Sequence, residues 1–402
     1  MNPNNIISRR NFLKTAGAGS IGAVLGPKMA IGASDASNQH AKMPTRPFGR
    51  TGIDVPILSM GGMFDIPNNQ LMLKQAIRMG VTYWDTANIY GNGQSEEGIG
   101  QYFKKFPSDR EKIFLVTKST SRDPDGLAQD LNLSFKRMST NYVDLFFVHA
   151  LRNTRPLDKA VRAWAEKQKA GGKIRLFGFS THRNMEKCLS QAAGMGWIDG
   201  IMMTYNYRLM HKPKMKAAVD ACTEAGIGLT AMKTQGGGQV RSNSEKEMAL
   251  GGQFLERGFT EHQAKLKAVW ENPQIAAICS QMPNMTILMA NIAAALDKTR
   301  LSAGDLNQLI EYADTTTPSY CAGCGDVCEN AVSEDIPIAD VMRYLMYAES
   351  YGDRERATAS FQKLPEKIRH TVARIDYNEA ERRCPQNMPI GHLMRRAAQR
   401  LA

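Results

Sequence analysis

The chain has 402 residues, long for one hydrophobic core and sufficient for a large domain with a smaller appended one. Its 43% hydrophobic and 22% charged residues are ordinary for a soluble globular protein, and no apolar run reaches the roughly 18 residues that a membrane helix needs. The net charge is +12, but the basic residues are scattered and form no stripe interleaved with aromatic residues. We therefore expect no nucleic-acid partner and no integral membrane segment in the mature form.

The N-terminal segment 1–34 has the pattern of an export signal. Residues 8–14 read SRRNFLK, and a weakly apolar stretch rich in glycine and alanine follows over 15–26. The segment resembles a twin-arginine signal peptide, with small residues over 30–34 as a cleavage region. This route carries folded proteins, often with a cofactor already inserted. We expect export by the twin-arginine translocase to the periplasm; a disordered basic tail is the alternative.

Next, turn residues within 46–56 predict a short hairpin. Eight short apolar runs then alternate with eight amphipathic stretches. The predicted strands are Pro56–Met60, Tyr83–Thr86, Ile113–Thr117, Val143–Val148, Leu176–Phe179, Gly200–Thr204, Gly228–Met232 and Ile275–Cys279. The predicted helices are Asn69–Met79, Glu96–Phe106, Leu127–Met138, Lys159–Ala170, Met185–Ala193, Pro213–Ala225, Glu261–Trp270 and Met285–Leu296. Asp125 and Thr260 are predicted helix starts.

This alternation predicts an α/β fold, a closed parallel TIM (β/α)8 barrel over residues 43–300. An open doubly wound sheet is the alternative. It is disfavoured because no G-x-G-x-x-G motif follows the first predicted strand.

Four residues able to take part in proton transfer fall at the predicted ends of three consecutive strands. Asp85 lies near the end of the second strand, and Tyr90 follows in the loop. Lys118 ends the third strand and His149 ends the fourth. Because active sites of such barrels form at the carboxyl ends of the strands, we predict that these side chains share one site. Each residue alone has an ordinary structural interpretation; their joint placement favours a catalytic cluster.

The chemistry of such a cluster is specific. A tyrosine with a pKa of about 10 is a poor proton donor or acceptor at neutral pH. A nearby ammonium lowers that pKa, and a carboxylate keeps the ammonium charged and in place. A neutral imidazole beside the phenol can hydrogen-bond a substrate carbonyl. The four side chains therefore suit protonation of a carbonyl oxygen while hydride arrives at the carbon.

Three segments resemble those of a known family. The sequence GVTYWDTANIYG from Gly80 to Gly91 resembles the aldo/keto reductase signature. SFKRMSTNYVD over 134–144, leading into His149, is similar to the family's segment from the third helix to the fourth strand. RPFGRTG over 46–52 is similar to its opening hairpin. The similarity runs from about Met43 to Leu296.

The resemblance implies roles for the four residues and a cofactor. It implies that Tyr90 is the general acid/base and that Lys118 lowers its pKa. It further implies that Asp85 supports Lys118 and that His149 orients the carbonyl of a small-molecule substrate. The implied cofactor is NADP(H).

The cofactor pocket departs from the family's pattern. The family holds the nicotinamide with Ser-Asn after the fifth strand, Gln in the sixth, a planar side chain after the seventh and a phosphate-binding stretch after the eighth. The corresponding candidates here are Ser180, Thr181, Met202, Met232, Lys233, Asn284 and Asn291. Thr181 replaces the asparagine and Met202 replaces the glutamine. These differences predict a divergent subfamily with altered cofactor affinity. NAD(H) is an alternative to NADP(H), and loss of catalysis on an intact scaffold is a third possibility.

The seven cysteines fall into two groups. Three lie in predicted helices or at a strand end, where they suit an apolar core: Cys188, Cys222 and Cys279. The other four form C-x2-C-x3-C and a distant cysteine followed by proline: Cys321, Cys324, Cys328 and Cys384. Such spacing can turn thiolates round one metal centre, and the distant Cys-Pro is typical of ferredoxin-type clusters.

Residues 301–402 are therefore predicted as a small, mostly helical, ferredoxin-like appendage. It is degenerate, because four of the eight cysteines of a two-cluster ferredoxin remain. We expect one [4Fe–4S] cluster on those four cysteines; tetrahedral zinc and disulfides are the alternatives. A cluster loaded before export would agree with the twin-arginine signal.

These patterns predict an NAD(P)H-dependent oxidoreductase that interconverts an aldehyde or ketone with an alcohol. The alternative is a non-catalytic module that uses the same barrel to bind a nucleotide or to pass electrons to a protein partner. The loops that would define the substrate, over 150–156 and 235–253, contain no diagnostic pattern.

Overall fold

The structure is a computed structural model that describes residues 42–238, 254, 256 and 258–402. The predicted signal over 1–34 lies outside the described residues, as does most of the predicted loop 235–253. Within the described part, no helix is long and apolar enough to cross a membrane.

Two short strands precede the barrel, β1 (Thr45–Pro47) and β2 (Asp54–Pro56), and they pair antiparallel as the sequence predicts. This hairpin closes the amino-terminal end of the barrel. The fully buried ring of Phe48 packs against Gly200 and Gly228, and a side chain at either glycine would collide with it.

The eight following strands form the closed parallel barrel that the alternating pattern predicts. They are β3 (Leu58–Gly61), β4 (Tyr83–Asp85), β5 (Phe114–Ser119), β6 (Val143–Leu151), β7 (Ile174–Thr181), β8 (Gly200–Thr204), β9 (Gly228–Met232) and β10 (Ala277–Gln281). Each strand pairs with its neighbours in chain order, and β10 closes the ring against β3. Since every pair is parallel, all eight carboxyl ends meet at one rim.

In the part of the chain that the structure describes, eight helices with given bounds surround the barrel. They are α1 (Gln70–Arg78), α2 (Gln94–Lys105), α3 (Pro124–Met138), α4 (Lys159–Ala170), α5 (Met185–Ala193), α6 (Pro213–Glu224), α7 (Glu261–Trp270) and α8 (Met285–Leu296). Thr260 begins α7 with a reciprocal capping box, as predicted. The predicted start at Asp125 is wrong: Asp123 is the N-cap, because its side chain accepts a hydrogen bond from the amide of Gly126 and Pro124 occupies the first helical position.

The C-terminal region is helical, as predicted. Its helices are α9 (Ala303–Thr315), α10 (Gly325–Glu329), α11 (Ile338–Glu349), α12 (Arg354–Gln362), α13 (Glu366–Thr371), α14 (Asn378–Arg383) and α15 (Ile390–Leu401). Helices α11, α12 and α15 share an apolar core of their own, which includes Leu345, Phe361 and Leu393. The barrel and these helices form one compact unit.

Polar contacts attach the C-terminal region to the loop after β7. The Asn184 side chain donates to Asp326 at 2.8 Å and accepts from its amide at 3.0 Å. Arg183 is buried, donates to Asp340 at 2.8 Å and also pairs with Glu329. The C-terminal region therefore lies on the carboxyl-end rim of the barrel, beside the predicted catalytic residues.

Candidate active site

The structure brings the four predicted catalytic residues together at the carboxyl-end rim. Asp85 is the last residue of β4, Lys118 lies in β5 and His149 lies in β6. Tyr90 is placed beside them by a single turn of 3-10 helix after β4. Strand position therefore fixes three of the side chains and a tight turn fixes the fourth.

The contacts within this tetrad are close. The Lys118 ammonium lies 2.6 Å from the Asp85 carboxylate and donates to the carbonyl of Thr86 at 2.7 Å. It lies 3.4 Å from the Tyr90 hydroxyl. The rings of Tyr90 and His149 meet edge to face with centroids 5.6 Å apart. The His149 Nδ1 atom is buried and has no hydrogen-bond partner among the described residues.

Burial and charge set the protonation states. Burial raises the pKa of the Tyr90 phenol to about 12, although Lys118 acts in the opposite direction. Burial opposes the charge of Lys118, but the Asp85 carboxylate outweighs it and raises the pKa of the amine. Burial and the charge of Lys118 together lower the pKa of His149 well below its usual range. At neutral pH the site therefore holds a neutral phenol, an ammonium and a neutral imidazole.

Comparison with known proteins agrees with this geometry. The model of the aldo/keto reductase family matches residues 60–300. The chain belongs to the aldo/keto reductase family. It is 29% identical over 218 residues to the aldo-keto reductase yakc (NADP(+)) of Schizosaccharomyces pombe, covering 49% of this chain and 62% of that protein. It is 27% identical to the uncharacterized oxidoreductase YrpG of Bacillus subtilis, covering 50% of this chain and 69% of that protein.

Solved structures extend the similarity to the fold. A thermostable aldo-keto reductase, Tm1743, in complex with the inhibitor epalrestat is 26% identical with a TM-score of 0.57, covering 67% of this chain and 99% of that chain. The holo form of an aldo-keto reductase from Bacillus halodurans has the same fold with a TM-score of 0.56 at 20% identity, covering 67% of this chain and 96% of that chain. The match to the yeast relative spans about three fifths of that protein's length.

Further along the rim, the side chains of three predicted cofactor residues contact other residues of the barrel. Ser180, near the end of β7, accepts a hydrogen bond from the amide of Ala150 at 2.9 Å. The hydroxyl of Thr181 is buried and lies 2.8 Å from the carbonyl of Leu151. Met202, where the family has glutamine, is buried among the apolar side chains inside the barrel. These three positions therefore offer a nicotinamide fewer free polar groups than the family's pattern.

The remaining cofactor candidates follow β9 and β10. Met232 ends β9 and packs against the interior of the barrel, and Lys233 directly follows it. Asn284 caps α8, since its side chain accepts from the amide of Ile287 at 3.0 Å. Asn291, two turns further along α8, donates to Ser280 at 3.0 Å. These residues lie on a different arc of the rim from the tetrad.

Sequence reasoning missed several residues at this mouth. Cys279 was predicted as a core residue, but its thiol lies within hydrogen-bonding reach of Asp85. Tyr347 of α11 accepts a hydrogen bond from Lys233 at 3.1 Å. Arg343 of α11 and Arg356 of α12 act electrostatically on His149. Cys279 could have been found from its inward-facing position in β10. The α11 and α12 residues lie beyond the family's segment, where no motif marks them.

The four cysteines of the C-terminal region line one cavity, whose other walls are mainly apolar. Among the described residues, no three His, Cys, Asp or Glu side chains are grouped as ligands of a single metal ion. Burial, reinforced by the neighbouring thiols, raises the pKa of Cys324 to about 11, and burial raises that of Cys328 to about 12. Glu329 directly follows Cys328. It pairs with Arg183 and accepts a hydrogen bond from the amide of Ala339 at 3.0 Å, so it attaches the C-terminal region to the barrel.

Proposed function

We propose that the protein is an NADP(H)-dependent oxidoreductase that interconverts an aldehyde or ketone with an alcohol. The observation that carries this proposal is the buried contact of Lys118 with both Asp85 and Tyr90, beside the neutral ring of His149. Membership of the aldo/keto reductase family supports it.

The tetrad supports a division of labour in the reductive direction. Tyr90 is protonated at neutral pH and donates its proton to the carbonyl oxygen. The Lys118 ammonium stabilises the resulting phenolate, and Asp85 holds that ammonium in place. His149, neutral and with Nδ1 unpaired, is free to hydrogen-bond and orient the carbonyl. Asp85, Lys118 and His149 are buried and Tyr90 is partly buried, which limits the access of water and strengthens each of these interactions.

NADP(H) supplies the hydride when it is bound. The fit is partial: Asn284 and Asn291 offer polar groups on α8, whereas the Lys233 ammonium contacts Tyr347 and Thr181 and Met202 offer no free amide. We therefore assign the phosphate side of the cofactor to the start of α8, with Ser180 and the apolar Met202 and Met232 beside the nicotinamide. NAD(H) remains the alternative cofactor.

The decisive test is Tyr90→Phe, which removes one oxygen atom and leaves the ring. We expect kcat to fall by about 100-fold or more, as for loss of a general acid, with the affinity for NADPH unchanged. The matched control is Tyr142→Phe, at a partly buried tyrosine outside the site. An unchanged rate in Tyr90→Phe would contradict the mechanism. Nucleotide binding without turnover by the unmodified protein would favour the non-catalytic module.

We propose further that Cys321, Cys324, Cys328 and Cys384 hold one [4Fe–4S] cluster. The support is that all four cysteines line one cavity, since four cysteine thiolates are the ligands of such a cluster. When bound, the cluster supplies one-electron chemistry or ties the region together, and an electron-transfer partner would follow from the first role.

Anaerobic purification of a chain without residues 1–34 tests this assignment. We expect iron and acid-labile sulfide in equal amounts, lost in Cys384→Ser and retained in the control Cys188→Ser, whose thiol is buried in the barrel's outer core. Zinc instead of iron, or disulfides found by mass spectrometry, would replace the cluster by one of the alternatives.

We also propose twin-arginine export to the periplasm, which rests on the SRRNFLK sequence alone. Changing Arg9 and Arg10 together to lysine should leave the protein in the cytoplasmic fraction. Lys14→Arg, outside the arginine pair, is the control. Unchanged periplasmic recovery of the double variant would exclude this route.

A further inference from the structure

Three cationic side chains gather round one tyrosine at the mouth of the barrel. Lys233 follows β9 and donates to the Tyr347 hydroxyl at 3.1 Å. The guanidinium of Arg356 lies over the Tyr347 ring, 3.8 Å from its centroid. Arg343 is one turn before Tyr347 on α11. The barrel contributes one cation to this cluster and the C-terminal region contributes two.

Against the effect of burial, the three cations lower the pKa of the Tyr347 phenol to about 7, and burial lowers that of Lys233 to about 8. Even with Tyr347 as a phenolate, the cations of the cluster outnumber its anions. Among the described residues, Lys233 and Arg356 have no carboxylate within ion-pair distance. The carboxylate nearest to Arg343 is Asp340, at 2.9 Å, and Asp340 is shared with Arg183 and Arg152. Bringing like charges together in a partly buried place is unfavourable unless an anion completes it. The backbone of Lys233 is also in the left-handed region, with a φ of +56°. Such strain is frequent at binding sites.

The charges of the cluster act on the tetrad. The positive charges of Arg343 and Arg356 contribute to lowering the pKa of His149, and Arg356 also acts on the pKa of Tyr90. His182, after β7, is subject to the charges of Lys233, Arg343 and Arg356 together. An anion held by the three cations would therefore lie beside the place where the carbonyl is reduced.

We propose that Lys233, Arg343 and Arg356 form a subsite for the carboxylate of an oxo acid whose carbonyl lies against Tyr90 and His149. This inference rests on the proposed carbonyl reduction and names its substrate class. The diphosphate of the cofactor carries the same anionic chemistry. The carboxylate is favoured because the cluster lies next to the tetrad, whereas the diphosphate is a whole nicotinamide riboside away from the hydride.

Matched acid and ester probes test the subsite. The probes are pyruvate and 4-oxobutanoate, each beside its methyl ester, which keeps the carbonyl and removes the charge. Equilibrium binding to the full chain in the presence of NADP+ needs no turnover, and kcat/KM with NADPH gives the second readout. We expect at least one acid to be preferred over its ester by about 10- to 100-fold, the range for a charged hydrogen-bonded contact.

The test variant is Arg356→Gln, and its control is Arg354→Gln, an exposed arginine on the same helix. Arg356→Gln should remove most of the preference for the acid through a higher KM, leave the ester unchanged and keep the KM for NADPH. Arg354→Gln should match the unmodified protein.

Each other outcome overturns a different statement. Equal binding of acid and ester by the unmodified chain overturns the subsite. A raised KM for NADPH in Arg356→Gln, with the acid preference intact, assigns the cluster to the cofactor diphosphate instead. Selective acid binding without any turnover keeps the subsite and contradicts the proposed reductase activity.

Discussion

Two arcs of the same rim differ in what their side chains contact. On the β4 to β6 arc, Asp85, Lys118, Tyr90 and His149 contact one another. On the β7 to β9 arc, Thr181 bonds to barrel backbone, Met202 is buried in the interior, and Lys233 contacts α11. The side chains of the first arc have all these contacts within the barrel. On the second arc, Lys233 has its contact only because the C-terminal region packs there.

The difference shows how one part of a family's fold can keep its geometry while another part acquires new contacts. Residues fixed by strand position keep their geometry, because the closed barrel determines where each strand ends. Residues in the loops beyond the strands are free to acquire new partners. Variants on each arc should therefore fail in different ways.

The largest expected effect is on the first arc. Lys118→Met leaves the Asp85 carboxylate buried and unpaired, so we expect a loss of about 3–5 kcal/mol in the free energy of unfolding. Chemical denaturation measures it. The double variant Lys118→Met with Asp85→Asn should recover much of that stability without recovering turnover. Equal stability of the single and double variants would show that the pair is not buried as described.

The next effect is on the second arc. Arg183→Met removes a buried guanidinium shared by Asp340 and Glu329, and we expect a loss of about 1–3 kcal/mol. Because this residue joins the barrel to α10 and α11, limited proteolysis should cut the C-terminal region faster than the barrel. Arg162→Met, at an exposed pair with Glu166, should change stability by less than about 0.5 kcal/mol. Equal rates of cleavage in the C-terminal region and the barrel would show that Arg183 does not hold the C-terminal region in place.

A smaller effect separates capping from cofactor binding. Asn284→Ala and Asp123→Ala each remove an N-cap side chain, and each should cost about 1 kcal/mol in the free energy of unfolding. Weaker NADPH binding is expected for Asn284→Ala alone, because Asp123 caps α3 away from the proposed cofactor arc. Isothermal titration measures the affinity; equal NADPH affinities would leave Asn284 as a structural cap.

The smallest expected effect is of pH on the reductive kcat. The pKa of Tyr90 is raised to about 12, so the phenol keeps its proton below that pH. The pKa of His149 is lowered well below its usual range, so the imidazole is neutral throughout pH 7 to 9. We therefore expect kcat to change by less than about twofold between pH 7 and 9. Single-turnover rates over this range measure it. A midpoint inside the range that persists in Tyr347→Phe would show that Tyr90 or His149 titrates differently; one that disappears in that variant belongs to the pair of Tyr347 and Lys233, whose pKa values are lowered to about 7 and about 8.

The sequence predicted the barrel and its tetrad because both rest on local signals. Short apolar runs at regular spacing mark the strands, and Asp85, Lys118 and His149 lie at or near their ends. The strand β8, Gly200–Thr204, has the predicted bounds, since a glycine marks its first residue. Cys321 and its three partners were also readable from spacing, and the structure places them round one cavity.

The second arc could not be predicted in the same way. The contact of Lys233 with Tyr347 joins residues more than a hundred positions apart, and no local pattern encodes such a pairing. The dominance of burial over Lys118 in the pKa of Tyr90 also depends on which groups pack over the mouth. Asp123 rather than Asp125 begins α3 because a single side-chain hydrogen bond decides between two neighbouring aspartates.

Helix α11 forms part of both the cysteine cavity and the barrel mouth. Ile338 and Met342 line the cavity, while Arg343 and Tyr347 belong to the cation cluster at the mouth. Its 12 residues form a rod about 18 Å long that bends little. Arg343 directly follows Met342, so a shift of the helix at the cavity would also move Arg343 and Tyr347. A group bound in the cysteine cavity would therefore also affect the spacing of the charges that we propose bind the substrate carboxylate.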